Sequence, residues 1–190
     1  KYEIVSELGH GGMGVVYKGY DKLMEREVAI KVISEIMLAY PEIKERFYRE
    51  ARTAGKLAHD NITVIYEVGE EAGKPYIVME YLPGDDLSTL LEARQPIPFL
   101  QKIDYAIQIC RGLSFSHSRD IIHRDIKPAN IRIVGGKVKI MDFGIAKPMT
   151  SNLTSTGAVI GTPYYMSPEQ IQGRKVDKRS DIFSFGVVLY

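Results

Sequence analysis

The chain has 190 residues, 45% of them hydrophobic and 26% charged, which is the balance of an ordinary globular protein. Its 25 basic and 24 acidic side chains leave a net charge of +1, so no global field recruits nucleic acid or an anionic membrane. Any anionic ligand must therefore be held by local groups.

Cysteine content and hydropathy limit the compartment. The single cysteine, Cys110, excludes a disulfide framework and a cysteine-based metal site, and we interpret it as a small buried hydrophobe. No segment approaches the ~18 apolar residues of a membrane span, and the N-terminus has no signal-peptide pattern. We therefore expect a cytoplasmic, reducing environment and no membrane contact within these residues.

The first third of the chain is predicted to be an antiparallel meander, because YEIVSELG, GVVYKGY and REVAIKVI are β-branched runs separated by turn residues. Pro41 then opens a helix, and Glu50 falls on its apolar stripe. Two more strands are predicted in ITVIYEVGE and PYIVMEYL. Pro83 and Gly84 break the pattern, so we place a boundary between domains at residues 1–82 and 83–190.

The second part of the chain is predicted to be mainly helical. Residues 99–118 form a long helix whose predicted inner face is Leu100, Ile103, Ile107, Cys110, Leu113 and His117. Short strands are predicted on both sides of residues 123–130 and in KVKIMDFG, with a loop at 145–169. SDIFSFGVVLY predicts an apolar helix that needs further chain to cover it.

The first motif is glycine-rich. In GHGGMGV, Gly9, Gly11 and Gly14 have G-x-G-x-x-G spacing, but the chain continues into a strand rather than a helix, which disfavours a dinucleotide fold. The absence of a following Gly-Lys-Ser/Thr excludes a P-loop. The pattern predicts a glycine hairpin whose N–H groups approach phosphate, with a plain turn as the alternative.

The second motif, VAIK, places Lys31 in an apolar strand, where a buried ammonium needs an anion. Glu50 is the expected partner. A purely structural ion pair is the alternative, but buried pairs stabilise a fold poorly, so we interpret the pair as a device that positions phosphate.

The third motif, IIHRDIKPANIRI, crowds polar groups between β-branched pairs. Asp125 can accept a proton from a hydroxyl, and Lys127 can neutralise a transferring phosphoryl group. Asn130 and Asp142, the latter in DFG, offer hard oxygens suited to Mg²⁺. These are the groups that phosphoryl transfer requires.

With these motifs in order, followed by GTPYYMSPE, the chain resembles the catalytic domain of eukaryotic-like serine/threonine protein kinases, particularly bacterial receptor-type members. The resemblance implies an α+β, bilobal fold: a small lobe with an antiparallel sheet and one helix, and a mostly helical large lobe that is incomplete at its C-terminal end. It implies transfer of the ATP γ-phosphate to Ser/Thr hydroxyls of protein substrates, including its own activation loop, with ATP and Mg²⁺ as cofactors.

The resemblance also implies roles for individual residues. The implied nucleotide-binding residues are Leu8, Gly9, Gly11, Gly14, Val16, Ala29, Lys31, Met79, Glu80, Leu82, Asp86 and Asn130. Lys31, oriented by Glu50, holds the α- and β-phosphates, while Asp86 meets the ribose. The catalytic residues include Asp125 as the base, Lys127 at the γ-phosphate and Thr162, which braces both. Asn130 and Asp142 ligate Mg²⁺.

Three further positions have implied roles or depart from the family pattern. His123 packs in a hydrophobic spine rather than reacting. Arg124 suggests control by a phosphate on the activation loop, at Thr154 and Thr156. Arg132 stands where the family has an apolar residue under adenine, so it either stacks on the base or extends outward.

Two rival functions stay open. A nucleotide-binding scaffold, a pseudokinase-like module, would signal without transferring phosphate, and intact Lys31, Asp125 and Asp142 disfavour it. A small-molecule kinase is disfavoured by GTPYYMSPE, which resembles a peptide-docking segment. The resemblance also allows self-association of kinase domains.

Overall fold

A computed structural model of the chain describes residues 1–11, 14–38, 41–143 and 163–190, excluding the side chains at 35, 36, 41, 42, 46, 50 and 163. The chain divides into two compact units. The first comprises Lys1–Ala58 and Thr63–Pro83, and the second comprises His59–Ile62 and Gly84–Tyr190.

The first unit is built on a five-stranded antiparallel sheet with the order β1-β2-β3-β5-β4. Its strands are β1 (Tyr2–Gly11), β2 (Gly14–Asp21), β3 (Arg26–Ile33), β4 (Ile65–Glu71) and β5 (Lys74–Glu80). Short turns join β2 to β3 and β4 to β5, so each of these pairs forms a local hairpin.

The two faces of this sheet differ in composition. On one face, Val28, Ile30 and Val78 are buried together, with Tyr2 and Tyr76 packed against them. The alternation of β3 turns Ala29 and Lys31 to the opposite face, because successive side chains of a strand point to opposite sides. Ala29 and Lys31 are two of the predicted nucleotide-binding residues.

Two helices, α1 (Glu35–Leu38) and α2 (Pro41–Ala54), follow β3. α1 was not predicted. α2 buries Phe47 and Ala51, as its apolar spacing predicts. It is fixed to β4 through Glu70, whose Oε2 accepts from Tyr48 Oη at 2.6 Å and lies 2.9 Å from Lys44 Nζ. Burial and the Glu70 carboxylate raise the pKa of Tyr48 to about 12, so this phenol stays a donor.

The second unit is mainly helical and also contains a small sheet. Its elements are β6 (Asp85–Asp86), α3 (Leu87–Glu92), α4 (Phe99–His117), a 3-10 turn (Pro128–Asn130), β7 (Ile131–Val134), β8 (Lys137–Ile140), a second 3-10 turn (Pro163–Tyr165), α5 (Pro168–Ile171) and α6 (Lys178–Leu189). Strands β6, β7 and β8 pair antiparallel in that order. The predicted loop at 145–169 is therefore partly helical within the described residues.

A strand was expected on both sides of the polar motif, but only the later one forms. β7 begins at Ile131, whereas Ile121 and Ile122 have no strand partners and the Ile121 N–H closes the end of α4 by donating to the Ser116 carbonyl at 3.0 Å. The prediction of a strand at residues 121–122 is therefore wrong, and this β-branched pair follows the end of α4.

The segment His59–Ile62 is joined to α4 and β8. Asn61 Nδ2 donates to Gln108 Oε1 and to the Val138 carbonyl, both at 3.0 Å. The Ile140 N–H in turn donates to the Asn61 carbonyl at 2.9 Å. These bonds fix both β8 and α4 to the His59–Ile62 segment.

The predicted inner face of α4 is wrong at four of its six positions, Leu100, Ile103, Ile107 and Cys110. Leu100 is 80% exposed and Ile103 and Ile107 are exposed too, whereas the buried positions of the helix are Ile109, Gly112, Leu113 and Ser116. Small residues lie inward because the backbone of α4 runs close to its neighbours: a Cβ on Gly112 would lie 3.2 Å from the Asn61 carbonyl oxygen. Of the predicted face, Leu113 is buried and His117 is nearly so.

The interpretation of Cys110 as a buried hydrophobe is also wrong. Cys110 is exposed, since it lies on the same outward face of α4 as Ile103 and Ile107. None of the described helices is long and apolar enough to cross a membrane.

Candidate active site

Asp125, the predicted base, is held by two neighbours in its own loop. Its Oδ2 accepts from Asn130 Nδ2 at 3.0 Å and lies 3.3 Å from Lys127 Nζ. Asn130 Nδ2 also donates to the Asp125 carbonyl at 2.8 Å. The side chain of Asp125 is 18% exposed, so its carboxylate is accessible to solvent although its own loop orients it. The structure thus brings Asp125, Lys127 and Asn130 together.

His123 supports this loop from a buried position. Its side chain is fully buried, and its ring lies 4.6 Å from that of Phe143, measured between centroids. Nε2–H donates to the Met141 carbonyl at 2.7 Å, while Nδ1 accepts from the Asp125 N–H at 3.1 Å. Both nitrogens are therefore engaged with the backbone, and the predicted packing of His123 is confirmed. Its lack of a reactive role stays a prediction.

Asp181, the fourth residue of α6, is the main positioning residue that was not among the predicted site residues. It is fully buried, and its Oδ2 accepts from the His123 N–H at 2.8 Å while Oδ1 accepts from the Arg124 N–H at 2.8 Å. His117 Nε2–H also donates to Oδ2 at 2.7 Å. A carboxylate inside an apolar helix was the available sequence signal, because a buried charge needs partners.

Two residues of the site have backbone conformations that side chains disfavour. Arg124 has φ of 68° and Asp142 has φ of 56°, both in the left-handed region. Such conformations cost about 1–3 kcal/mol each and persist where surrounding bonds impose them. Arg124 lies between His123 and Asp125, and Asp142 follows Met141, whose carbonyl accepts from His123.

Asn130 and Asp142 have the chemistry of a Mg²⁺ site. The two bonds from Asn130 Nδ2 to Asp125 fix which end of the Asn130 amide faces Asp125, and Oδ1 is at the other end. The Met141 N–H donates to the Asn130 carbonyl at 2.9 Å, which ties the residue before Asp142 to Asn130. An amide oxygen and a carboxylate fit a cation that retains water and phosphate ligands. Among the described residues no group of three His, Cys, Asp or Glu side chains could hold a metal.

In the first unit, several predicted nucleotide-binding residues share one sheet face. Val16 lies opposite Lys31 and Lys31 lies opposite Ile77, so the three point the same way. Ala29 lies opposite Met79 on that face, and both are buried. The sheet therefore presents a lysine beside a patch of apolar side chains. Leu8 on β1 is largely exposed.

The glycine hairpin joins β1 to β2, with Gly11 paired to Gly14. A side chain at Gly14 would be excluded, since its Cβ would lie 1.9 Å from the Val32 carbonyl oxygen. A Cβ at Gly9 or Gly11 would meet no atom of the described residues within 4 Å. The fold alone therefore requires glycine at position 14 and leaves positions 9 and 11 open.

The remaining predicted nucleotide contacts lie at chain turns. The Glu80 N–H already donates to the Val64 carbonyl at 2.9 Å, so a contact from its backbone to adenine would use the carbonyl. Leu82 is buried. Asp86 caps α3, because its Oδ1 accepts from the N–H of Thr89 at 2.9 Å and from its hydroxyl at 3.2 Å. The predicted contact of Asp86 with ribose stays a prediction, as does the placement of Arg132, which pairs with Asp86 across β6 and β7.

Several predictions fall outside the described residues. Thr154, Thr156 and Thr162 lie in the undescribed range 144–162, and the side chain of Glu50 is not described. The Lys31–Glu50 ion pair, the bracing role of Thr162 and the two phosphorylation sites therefore stay predictions.

Short helix α5 contributes two unexpected contacts. Ser167, the N-cap residue of α5, is fully buried and forms a capping box with Gln170. Glu169 accepts a hydrogen bond from the Ser180 hydroxyl, and this bond holds the pKa of Glu169 below its usual value. The Ser180 hydroxyl thus joins α6 to α5.

Two features define the kinase class of folds. The first is an antiparallel sheet with a glycine hairpin and a face that carries a lysine. The second is a helical unit that orients an aspartate beside a lysine and an asparagine. The profile of the protein kinase domain family matches residues 2–190, and the chain belongs to this family. The predicted fold class, α+β with an antiparallel sheet in one part and mainly helices in the other, is confirmed.

Named relatives agree with this assignment. The chain is similar to a probable serine/threonine-protein kinase of Clostridium acetobutylicum (46% identity) and to the serine/threonine-protein kinase PknB of Mycobacterium leprae (45%). Each alignment covers the whole chain but only 29% and 32% of the relative. The crystal structure of the Mycobacterium tuberculosis PknI kinase domain matches 99% of the chain and 70% of its own, with 30% identity and a TM-score of 0.81. The chain thus spans less than a third of these two curated relatives.

Proposed function

We propose that the chain transfers the γ-phosphate of ATP to serine or threonine hydroxyls of protein substrates. The observation that carries the proposal is the orientation of Asp125 by Lys127 and Asn130 in one loop. A general base must be held within reach of a hydroxyl, and its neighbours must neutralise phosphate.

The proposed step follows from the roles of these groups. A substrate hydroxyl oxygen bonds to the γ-phosphorus while the bond from that phosphorus to the β–γ bridging oxygen breaks and ADP leaves. The hydroxyl proton passes to the Asp125 carboxylate, which Lys127 and Asn130 orient through Oδ2. Lys127 offsets the charge of the transferring group.

The first unit would hold the nucleotide. Lys31, on the same face as Val16 and Ile77, would bind the phosphates, with Ala29 and Met79 against the base. When bound, Mg²⁺ supplies neutralisation of phosphate charge. Asn130 Oδ1 and the Asp142 carboxylate are the oxygens that would hold it.

The substrate class rests on sequence and on relatives. Lys127 within HRDIKPAN, together with GTPYYMSPE, resembles kinases that modify serine or threonine, and both curated relatives carry that name. We propose that the substrates include the chain's own activation loop. The use of ATP and the single cysteine support a cytoplasmic site of action.

Intact-mass analysis after incubation with Mg²⁺ and ATP tests the proposal, with Asp125→Asn as the control. The expected result is added mass in steps of one phosphate on the unmodified protein and none on Asp125→Asn, because the amide cannot accept the proton. If the unmodified protein gained no phosphate and also transferred none to a general serine/threonine substrate, the proposal would be overturned and the nucleotide-binding scaffold favoured.

A further inference from the structure

Arg124, the residue that precedes Asp125, is held on both sides of its Cα by residues from distant parts of the chain. The Arg124 N–H donates to Asp181 Oδ1 at 2.8 Å. On its other side, the Arg124 carbonyl accepts from Gln170 Nε2 at 2.8 Å. Arg124 has φ of 68°, so these two bonds bracket a residue in a conformation that its side chain disfavours.

The orientation of Gln170 is determined by α5 itself. Its Oε1 accepts from the Ser167 N–H at 3.0 Å, and its own N–H donates to Ser167 Oγ at 3.4 Å. Oε1 of the Gln170 amide therefore faces a donor, the Ser167 N–H, and Nε2 faces an acceptor, the Arg124 carbonyl. A reversed amide would break both contacts, so the capping box aims Nε2 at the Arg124 carbonyl.

This bond acts on the catalytic loop rather than on α5. The Arg124 carbonyl and the Asp125 N–H belong to the same peptide plane, and that N–H donates to His123 Nδ1 at 3.1 Å. Rotation of the plane would break the His123 bond and turn the Asp125 side chain. Without Gln170, Arg124 would lose one of the two bonds that oppose its relaxation to a more favourable φ.

We propose that Gln170 is a positioning residue for phosphoryl transfer, acting through the Arg124 carbonyl to orient Asp125. The inference rests on the proposed function for its catalytic consequence. Its structural part, control of the peptide plane between Arg124 and Asp125, stands independently of catalysis.

Substitutions separate this role from helix capping. Gln170→Glu keeps the capping box, because Ser-x-x-Glu is the common form of that motif, but it replaces the donor facing Arg124 with an acceptor. Gln170→Met removes the cap contact and the donor together. Gln172→Glu, at an exposed position of the same segment, is the matched control for added charge.

The test compares kcat, KM for ATP, the thermal midpoint of unfolding and the hydrogen exchange of the Asp125 amide in the purified protein and its variants. Gln170→Glu is expected to lower kcat about tenfold or more, since a misplacement of ~1 Å can cost 10²-fold, with little change in KM or thermal midpoint. Gln170→Met is expected to lower both kcat and the thermal midpoint. In both variants the Asp125 amide should exchange about tenfold faster, whereas Gln172→Glu should match the unmodified protein.

Unchanged exchange at Asp125 in Gln170→Glu would overturn the inference. So would a Gln170→Glu variant whose kcat falls only together with a loss of thermal midpoint equal to that of Gln170→Met. If the unmodified protein transfers no phosphate, the proposed function fails, and the exchange measurement alone decides the structural part.

Discussion

The amide nitrogen of Asn130 bonds twice to Asp125, at 2.8 Å to its carbonyl and at 3.0 Å to its Oδ2. Asn130 is thus a positioning residue for Asp125, the proposed base, as well as a candidate Mg²⁺ ligand. Changing Asn130→Asp separates the two roles, because a carboxylate suits Mg²⁺ but cannot donate.

We expect Asn130→Asp to lower kcat by about 10- to 100-fold, because both bonds are lost and a second negative charge stands beside the base. Phosphate transfer is measured over a range of Mg²⁺ concentrations. Recovery of the unmodified rate at high Mg²⁺ would show that Asn130 acts only through the metal.

Asp181 should contribute to stability as well as to loop geometry. Its carboxylate accepts three hydrogen bonds in a fully buried position, and Asp181→Asn turns one acceptor into a donor that faces an N–H. An unsatisfied buried group costs about 1–3 kcal/mol, and we expect a loss of this size in denaturant unfolding.

Asp177→Asn on the same helix is the control for that experiment. Asp177 is the N-cap of α6, where asparagine caps about as well as aspartate, and its pair with Arg179 is exposed. Equal losses for Asp177→Asn and Asp181→Asn would contradict the assigned role of Asp181.

Gly14 and Gly11 should respond differently to alanine. At Gly14 the new Cβ would lie 1.9 Å from the Val32 carbonyl oxygen, so Gly14→Ala should lower the free energy of unfolding by about 1–3 kcal/mol. Gly11→Ala meets no atom of the part of the chain that the structure describes, so it should leave stability intact but raise KM for ATP, because the proposed phosphate approach is blocked. Unfolding curves and ATP titrations on the two variants decide this, and an unchanged KM in Gly11→Ala would argue against a phosphate-binding hairpin.

Thr154 and Thr156 are the predicted phosphorylation sites, and both lie outside the described residues. The Arg124 side chain is exposed, so its guanidinium is accessible to a loop phosphate. Replacing both threonines with alanine should strongly lower turnover and remove the corresponding mass increments. Ser155→Ala, between them, is the matched control, and unchanged turnover in the double variant would refute the regulatory role.

The sequence predicted the strands of the first unit well, because their β-branched runs are bounded by turns and pair mostly with near neighbours. Asp125, Lys127 and Asn130 were also predicted together, since they lie within six residues of one loop. Local chemistry of this kind is visible without a structure.

The face of α4 could not be read from hydrophobicity. Apolar residues occupy more than one side of this helix, and the buried side contains Gly112 and Ser116, which pack by allowing a close approach. Asp181 and Gln170 were missed as site residues for a different reason. Their partners lie 57 and 46 positions away along the chain, and no periodic pattern relates them.

The bonds from Asp181 to the catalytic loop set an order for folding during synthesis. The hairpins of the first sheet involve neighbouring segments and can pair while the ribosome is still translating later codons. The loop around Asp125 must wait for a residue that is 58 positions downstream of His123, which takes about 3–12 s at typical elongation rates. Until Asp181 emerges, the nascent chain has the sheet proposed to bind nucleotide, but the loop that carries Asp125 is not yet anchored.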